Sequence, residues 1–586
     1  MNNSSSTWQQ WLTVPHPKKA QVIFWFSLSL TFSAIYGWMV WQKAFKAEYV
    51  IQDDARQHIF WMQRFTDPEL FPGDLIADYF QSVAPLGYTT FYKTMAGLGI
   101  EPLLLSKILP PVLGMLTTIY CFGVTMEILP VPFAGFMAST ILNQSIWMKF
   151  DVVSATPRAF IYPLFVVFIY YLLRRQLIGT CVAIALLGLF YPQLILICCP
   201  VLVLRLLNWK ICFQPSQWSK LRKNLYREFI KPLPFPEYRL SIIALTVGFF
   251  ILLIYALKNQ TYGEVITARQ AMNLPDFWPQ GRHAFFNDRP IQFWFMGELS
   301  GLLPPLLPPL IWLGLLLPWF VNNPGRFPLG DRITRNVYLL LEILMASVGL
   351  FLAAHAVLFR LYLPSRYMEH SCRIVFAIAT GLIITLILDA ALQSLKHGMK
   401  PDKGFAIASG FLIALTIFYP LYEKGFPRTN YRPGRVAPLY EFFQKQPKDI
   451  LIASLASEAN NIPSFAKRSI LVGREYAIPL HVGYYNEFSQ RSGDLIHAQY
   501  TPNLQDMQQF IQKYGIDFWL LEASAFNPDY FTKNSWLNQY QPAATEAIAQ
   551  LDLETTPAIA SFMEPCAAFK TGDFVVLNTE CMIIDN

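Results

Sequence analysis

Charge is what this chain has least of. Asp, Glu, Lys and Arg make up 15% of its 586 residues, where a soluble protein carries nearer ~25%. That shortage, beside a hydrophobic content of 54%, excludes an ordinary soluble globule and leaves a polytopic membrane protein. No zinc-finger spacing, Walker loop or dinucleotide fingerprint is present, so no nucleotide-phosphate site is indicated. The net charge of +7 does not bring in nucleic acid as a partner. Positive charge in such proteins gathers in cytoplasmic loops. There is no internal repeat and no low-complexity tract. The start lacks a small-residue cleavage site, and Gln21 to Trp41 is long enough to span, so it reads as a retained signal anchor. Cys121, Cys181, Cys198 and Cys199 lie in apolar runs, where cysteine behaves as a small buried hydrophobe. Cys566 and Cys581 lie in the polar C-terminal part and can pair if it faces an oxidising compartment.

What is present is a series of apolar runs. Lys18 and Lys19 beside the first one place residues 1–20 in the cytoplasm. The first loop, 42–102, then faces outward, with Tyr79 to Leu98 read as interfacial helix. Spans follow at about Leu103–Leu129 and Pro132–Phe150. The run Phe160–Leu173 is short and is expected to extend outward through Pro157. Gly179 to Asn208 reads as two short spans meeting at Tyr191-Pro192, since proline breaks a helix. Arg205 to Arg239 is the most basic stretch and belongs inside. Leu240–Leu257 crosses outward to a second long outer loop, 258–300. Leu302–Val321 crosses back, and its prolines 304, 305, 308 and 309 predict a kinked or broken outer half. Asn336–Leu358 leads to a short outer loop, Arg360 to Arg373. Ile374–Leu392 and Phe405–Tyr422 complete about eleven transmembrane helices over 21–425. Parity leaves residues 435–586 outside as a soluble α/β domain. Strands are expected at 449–454, 469–473, 517–521 and 574–577, with an amphipathic helix at 503–514.

The outer face collects the residues suited to chemistry. Asp53, Asp54 and His58 stand just past the first span. Asp151 and Arg158 stand at the second outer junction, and Arg269 and Arg282 in the long loop. Arg366, His370 and Arg373 fall in the fifth junction. Adjacent carboxylates at a lipid–water boundary are costly unless paired, hydrated or used. The plainer reading makes them wet loop acids, and makes Arg366 and Arg373 headgroup anchors. The functional one gives a general base, arginines for a phosphate, and a divalent ion such as Mg or Mn on Asp54 and Asp151.

The placement of Asp53-Asp54 in a long first outer loop resembles the GT-C glycosyltransferases. So does that of Asp151 ahead of Ser-Ala-Thr-Pro-Arg158 at the second outer junction. That family takes sugar from a polyprenyl-phosphate carrier. It includes protein O-mannosyltransferases, the lipid A aminoarabinose transferase and the oligosaccharyltransferase catalytic subunit. The resemblance covers roughly residues 1–425. It implies a GT-C-like fold and an inverting transfer to an acceptor hydroxyl on a glycan, lipid or protein, outside the plasma (inner) membrane. It implies Asp54 as the catalytic carboxylate, with Asp53 as its competitor and Asp151 assisting or holding a metal. Arg366, Arg158, His370 and Arg373 would meet the donor phosphate, with His58, Arg269 and Arg282 in support. The Trp-Trp-Asp acceptor motif of the oligosaccharyltransferases is absent, so that substrate class is not expected. A transporter or lipid flippase would want charge at mid-membrane or two related halves. A non-enzymatic scaffold would leave Asp54 and Asp151 dispensable.

Overall fold

The computed structural model describes residues 9, 11–207, 235–257, 261–279, 281–396 and 403–583. Most of the basic stretch 205–239 lies outside them. Helices α1 (Lys19–Ala44), α2 (Pro102–Ile128), α3 (Pro132–Trp147), α4 (Ile161–Leu173), α5 (Leu177–Phe190) and α6 (Ile195–Leu206) form the first half of the bundle. Helices α7 (Phe235–Ala256), α8 (Tyr338–Ala356), α9 (Ser365–Lys396) and α10 (Lys403–Tyr422) form the second. Six of the described helices are long and apolar enough to cross a membrane. The turn Pro157–Phe160 extends α4 outward, and the chain breaks at Tyr191, both as expected. The short helices of the first loop include Leu75–Val83 and Leu86–Gly97. The first is capped by Asp74, whose carboxylate accepts from Ala77 N at 2.7 Å.

The outer half of Leu302–Val321 is broken, as its prolines predict, and the segment is helical only from Pro309. Hydropathy measures compatibility with lipid, not helicity, and the prolines remove the amides an outer helical half needs. The irregular stretch leans on α9, where Thr380 Oγ1 donates to Ile311 O at 2.9 Å. One expectation is corrected. Arg360 to Arg373 is not a loop up to its end, because α9 begins at Ser365. Arg366, Glu369, His370 and Arg373 therefore share one helix face, at the i, i+3, i+4 and i+7 positions.

Helix α9 packs hardest against α3, because Gly381 lets the backbones touch. A Cβ at Gly381 would stand 2.6 Å from Ala138 N. We expect Gly381→Ala to cost about 1–3 kcal/mol, since the clash is with backbone that cannot rotate away. Thermal unfolding in detergent checks this against Gly410→Ala, where a Cβ meets open space. Equal midpoints for the two variants would show the crossing to be loose.

The C-terminal domain carries a sheet of order β4-β3-β5-β7-β6. Its strands are β3 (Leu451–Ala453), β4 (Ser469–Ile470), β5 (Phe518–Glu522), β6 (Ala567–Thr571) and β7 (Phe574–Asn578). Strands β4, β3 and β5 run parallel, and β7 pairs antiparallel with both β5 and β6. Helices α11 (Ala437–Gln444), α12 (Val482–Tyr500) and α13 (Leu504–Tyr514) pack around it. Helix α13 shows why the 503–514 pattern was readable. Asn503 caps its start, and Gly515, at φ +64°, ends it in the left-handed region. Cys566 and Cys581 form a disulfide.

A small ribbon ties this domain to the bundle. Strand β1 (Val50–Gln52) in the first loop pairs antiparallel with β2 (Tyr431–Pro433), just past the last helix. Aromatic contacts continue the seam. Tyr79 stacks on Tyr484 at 3.7 Å between ring centres, and Tyr49 packs against Tyr440 at 5.0 Å. One apolar core runs from the bundle into the domain. Asp53 and Asp54 follow β1 directly, so their position is set by this ribbon.

Candidate functional site

Asp53 and Asp54 sit side by side but do different things. Asp53 is clamped. Its carboxylate accepts from Arg56, from Asn430 Nδ2 at 2.9 Å and from Arg432 at 3.2 Å. Burial alone would raise its pKa, but Arg432 and Arg56 outweigh burial and hold it below the ordinary carboxylate value. The clamp pins the ribbon.

Asp54 turns the other way. Its Oδ2 accepts from Arg158 Nη2 at 2.5 Å. Its Oδ1 accepts no hydrogen bond among the described residues, and the side chain keeps 18% of its exposure. Arg158 Nη1 lies 3.5 Å from Asp151 Oδ1, and Asp151 is fully buried. Burial would push the Asp151 carboxyl up, but Lys149 and Arg158 overcome this and hold it well below its usual range. One guanidinium thus joins two carboxylates that are 97 positions apart in the chain.

The cluster continues onto α9. Tyr162 donates to Asp151 Oδ2 at 3.2 Å, and His370 Nδ1 lies 3.1 Å from the Tyr162 oxygen. Glu369 gathers three cations. Arg366 Nη1 donates to it at 2.8 Å, Lys149 pairs with it, and Arg373 Nη2 lies 3.6 Å away. Arg373 also donates to the Ser145 carbonyl at 2.7 Å, holding α9 to the end of α3. Five buried polar atoms in this cluster have no hydrogen-bond partner: Arg366 Nε, His370 Nε2, Asp151 Oδ1, and Nε and Nη2 of Arg373. Buried polar atoms are paired in more than ~90% of cases, so this set is suited to receive a polar group.

The other sequence candidates fall elsewhere. His58 follows one turn after Asp54, with its ring 5.7 Å from that of Phe80. Burial pushes its imidazole down to about 4, with Asp54 acting upward and Arg158 downward. It is therefore neutral near pH 7. Arg282 does not join the carboxylate cluster; it donates to Glu475 at 2.8 Å. Arg269 is exposed on a short helix and makes no hydrogen bond or ion pair among the described residues. Asp54 and Asp151 also do not fit a divalent ion as arranged. Arg158 stands between them, and no third His, Cys, Asp or Glu joins to form a metal-binding group among the described residues.

The sequence reading missed Tyr162, Lys149, Glu369 and Glu475. Glu369 was within reach of it, three residues past Arg366 in a segment already singled out. Glu475 had no local signal. It lies in the C-terminal domain yet receives Arg56 at 3.1 Å, Arg282 at 2.8 Å and Gln57.

No protein-family model matches the chain, and no curated protein sequence matches it. Solved structures do. The archaeal oligosaccharyltransferase AglB from Archaeoglobus fulgidus, in complex with an inhibitory peptide and a dolichol-phosphate, aligns with a TM-score of 0.51 at 13% identity. The alignment covers 89% of this chain and 72% of that one. The apo form of the Archaeoglobus fulgidus oligosaccharyltransferase aligns at 0.48 and 11% identity, over 88% and 72%. ArnT from Cupriavidus metallidurans bound to undecaprenyl phosphate aligns at 0.41 and 10% identity, over 95% and 98%. The first of these likenesses carries the fold. This chain has the GT-C fold, a helical membrane bundle with a strand-bearing C-terminal domain.

Proposed function

We propose that this chain is an integral-membrane glycosyltransferase. It takes a sugar from a polyprenyl-phosphate carrier and passes it to an acceptor hydroxyl at the end of the bundle that carries the C-terminal domain. The observation that carries the reading is Asp54: a carboxylate with one oxygen held by Arg158 and the other unpaired, beside buried donors. The aligned AglB structure contains a dolichol-phosphate, which supports a lipid-phosphate donor here.

In this reading the acceptor hydroxyl gives its proton to Asp54 Oδ1. Its oxygen bonds to the anomeric carbon, the bond from that carbon to the phosphate oxygen breaks, and the electron pair leaves with the phosphate. Attack opposite the leaving group inverts configuration. Charge developing on the phosphate needs fixed donors. Arg366 offers one, its Nε, which is buried and unpaired. His370 suits this task less. Tyr162 donates to Asp151, so it accepts from His370 Nδ1, and that leaves Nε2 as an acceptor. Arg158 positions Asp54 and Asp151. Arg373 donates to Ser145 through Nη1 only, and its buried Nε and Nη2, beside Glu369, make no hydrogen bond, so it is a second donor for the phosphate. No step is routed through a metal, because Arg158 fills the place between the two acids.

Arg366→Lys keeps the charge and loses the planar fork, so we expect weaker donor engagement. The check is lipid-linked sugar turnover by the purified protein. A rise in donor KM with a drop in rate smaller than that of Asp54→Asn supports the assignment; an unchanged KM removes Arg366 from the phosphate site.

The site faces outward in this reading. The chain is placed in the plasma (inner) membrane, with its N-terminus cytoplasmic and residues 435–586 extracytoplasmic. Support comes from the basic residues at the opposite ends of the spans. Reporter fusions at Lys220 and Asn586 are expected on opposite sides. Both on one side would overturn the topology.

A further inference from the structure

A second polar feature stands beside the carboxylate cluster and is not used by the reaction above. It is a cavity of about 500 Å³ between the first loop, the long loop and the C-terminal domain. That volume lies within the ~300–1,000 Å³ of small-molecule sites. Its walls carry Arg56, Arg282, Arg432, Arg435 and Arg474. Three acids face these five arginines, namely Asp53, Glu458 and Glu475. All three are already engaged. Asp53 is held by Arg56 and Arg432, Glu475 by Arg56 and Arg282, and Glu458 accepts from Tyr440 and from Asn461 at 2.9 Å. The side chains of Arg435 and Arg474 make no hydrogen bond or ion pair among the described residues. The Nε atoms of Arg56 and Arg282 are buried without a partner. Isolated surface arginines are usually just solvated. These five come from three distant chain segments and converge on one concavity, with positive charge left over.

We propose that this cavity binds an oxyanion, a phosphate or a carboxylate, carried on the sugar of the acceptor. Guanidinium forks match both groups bidentately, and two of the five forks are uncommitted. Every residue lining the cavity except Pro433 has a polar side chain, so the carrier is a polar sugar and not a lipid chain. Asp53 belongs to the cavity wall, and Asp54, the next residue, to the carboxylate cluster. A ligand anchored by Arg435 and Arg474 thereby lies against the same short segment that carries the proposed base. The acceptor role rests on the transfer reading; the binding of the anion does not.

The test is calorimetric binding to the purified full-length protein in detergent, at fixed ionic strength. Glucose 6-phosphate and glucuronate are the probes, and glucose is the neutral control. At least one sugar anion is expected to bind more tightly than glucose, and which one tells phosphate from carboxylate. Arg435→Gln with Arg474→Gln removes two charged donors, so binding should weaken about tenfold or more. These side chains hold no partner, so the thermal midpoint should not move. Lys533→Gln, on the exposed surface away from the cavity, is the charge control and should bind as the native protein does. Asp54→Asn should also bind the anion. If it does and yet transfers sugar at the native rate, the transfer reading fails and the anion site stands. If neither anion binds better than glucose, or the double variant binds as the native protein does, the proposal is overturned.

Discussion

Replacing Asp54 by Asn is expected to lower sugar transfer by about 10²–10⁴, the usual worth of a lost general base. The substitution keeps the shape and the carbonyl oxygen that Arg158 reaches. It removes the charge and the proton-accepting oxygen. Folding should survive, because Arg158 retains Asp151 at 3.5 Å. The neighbouring variant separates chemistry from architecture. Asp53→Asn loosens the clamp from Arg56 and Arg432, so its cost should appear in stability. The pH dependence has a definite sign. The pKa of Asp53 is lower in the folded protein, so its contribution is present above the ordinary carboxylate value of about 4 and is lost as pH falls below it. Turnover and thermal midpoints of both variants are the measurements. Native turnover in Asp54→Asn beside a folded but inactive Asp53→Asn would reverse the assignment within the pair. Native turnover in both, and in Asp151→Asn, would sink the glycosyltransfer reading and favour a scaffold or a transporter.

The helical bundle was legible because lipid imposes a simple requirement. A crossing needs ~20 apolar residues, and the short runs around Tyr191 and Pro157 could be read by the same rule. The rule failed where the helix carries charge. Arg366, Glu369, His370 and Arg373 interrupt the apolar pattern, so hydropathy starts the crossing at Ile374, nine residues after α9 begins at Ser365. Helical spacing puts the same four residues on one face, and their mutual pairing makes the burial tolerable. Placement on the outer rim also singled out the loops of Asp54, Asp151 and Arg158. It could not pair them, since Arg158 meets Asp54 across 104 positions. Strands β1 and β2 have three residues each and no alternation to read. The seam they form, with Glu475 beside it, exists only after the chain has closed on itself.

Arg158 is where the largest structural effect is expected. It is the cation that Asp54 and Asp151 share, and Asp151 has no exposure at all. Arg158→Gln would leave a buried carboxylate short of its nearest guanidinium, with a second carboxylate close by. Breaking a buried pair from one side costs about 3–5 kcal/mol, because the remaining charge is uncompensated. Lys149 and Tyr162 offset part of this. The double variant Arg158→Gln with Asp151→Asn removes both buried charges, so it should recover much of the lost stability. A double-mutant cycle on thermal or denaturant unfolding in detergent reads the coupling. Transfer should not return with stability. Without Arg158 nothing holds Asp54 Oδ2, and the base loses its orientation toward the acceptor. Additive losses in the cycle would mean that Arg158 and Asp151 are not energetically paired. Recovered transfer in the double variant would mean that Arg158 serves the fold alone, and that Asp54 finds its position without it.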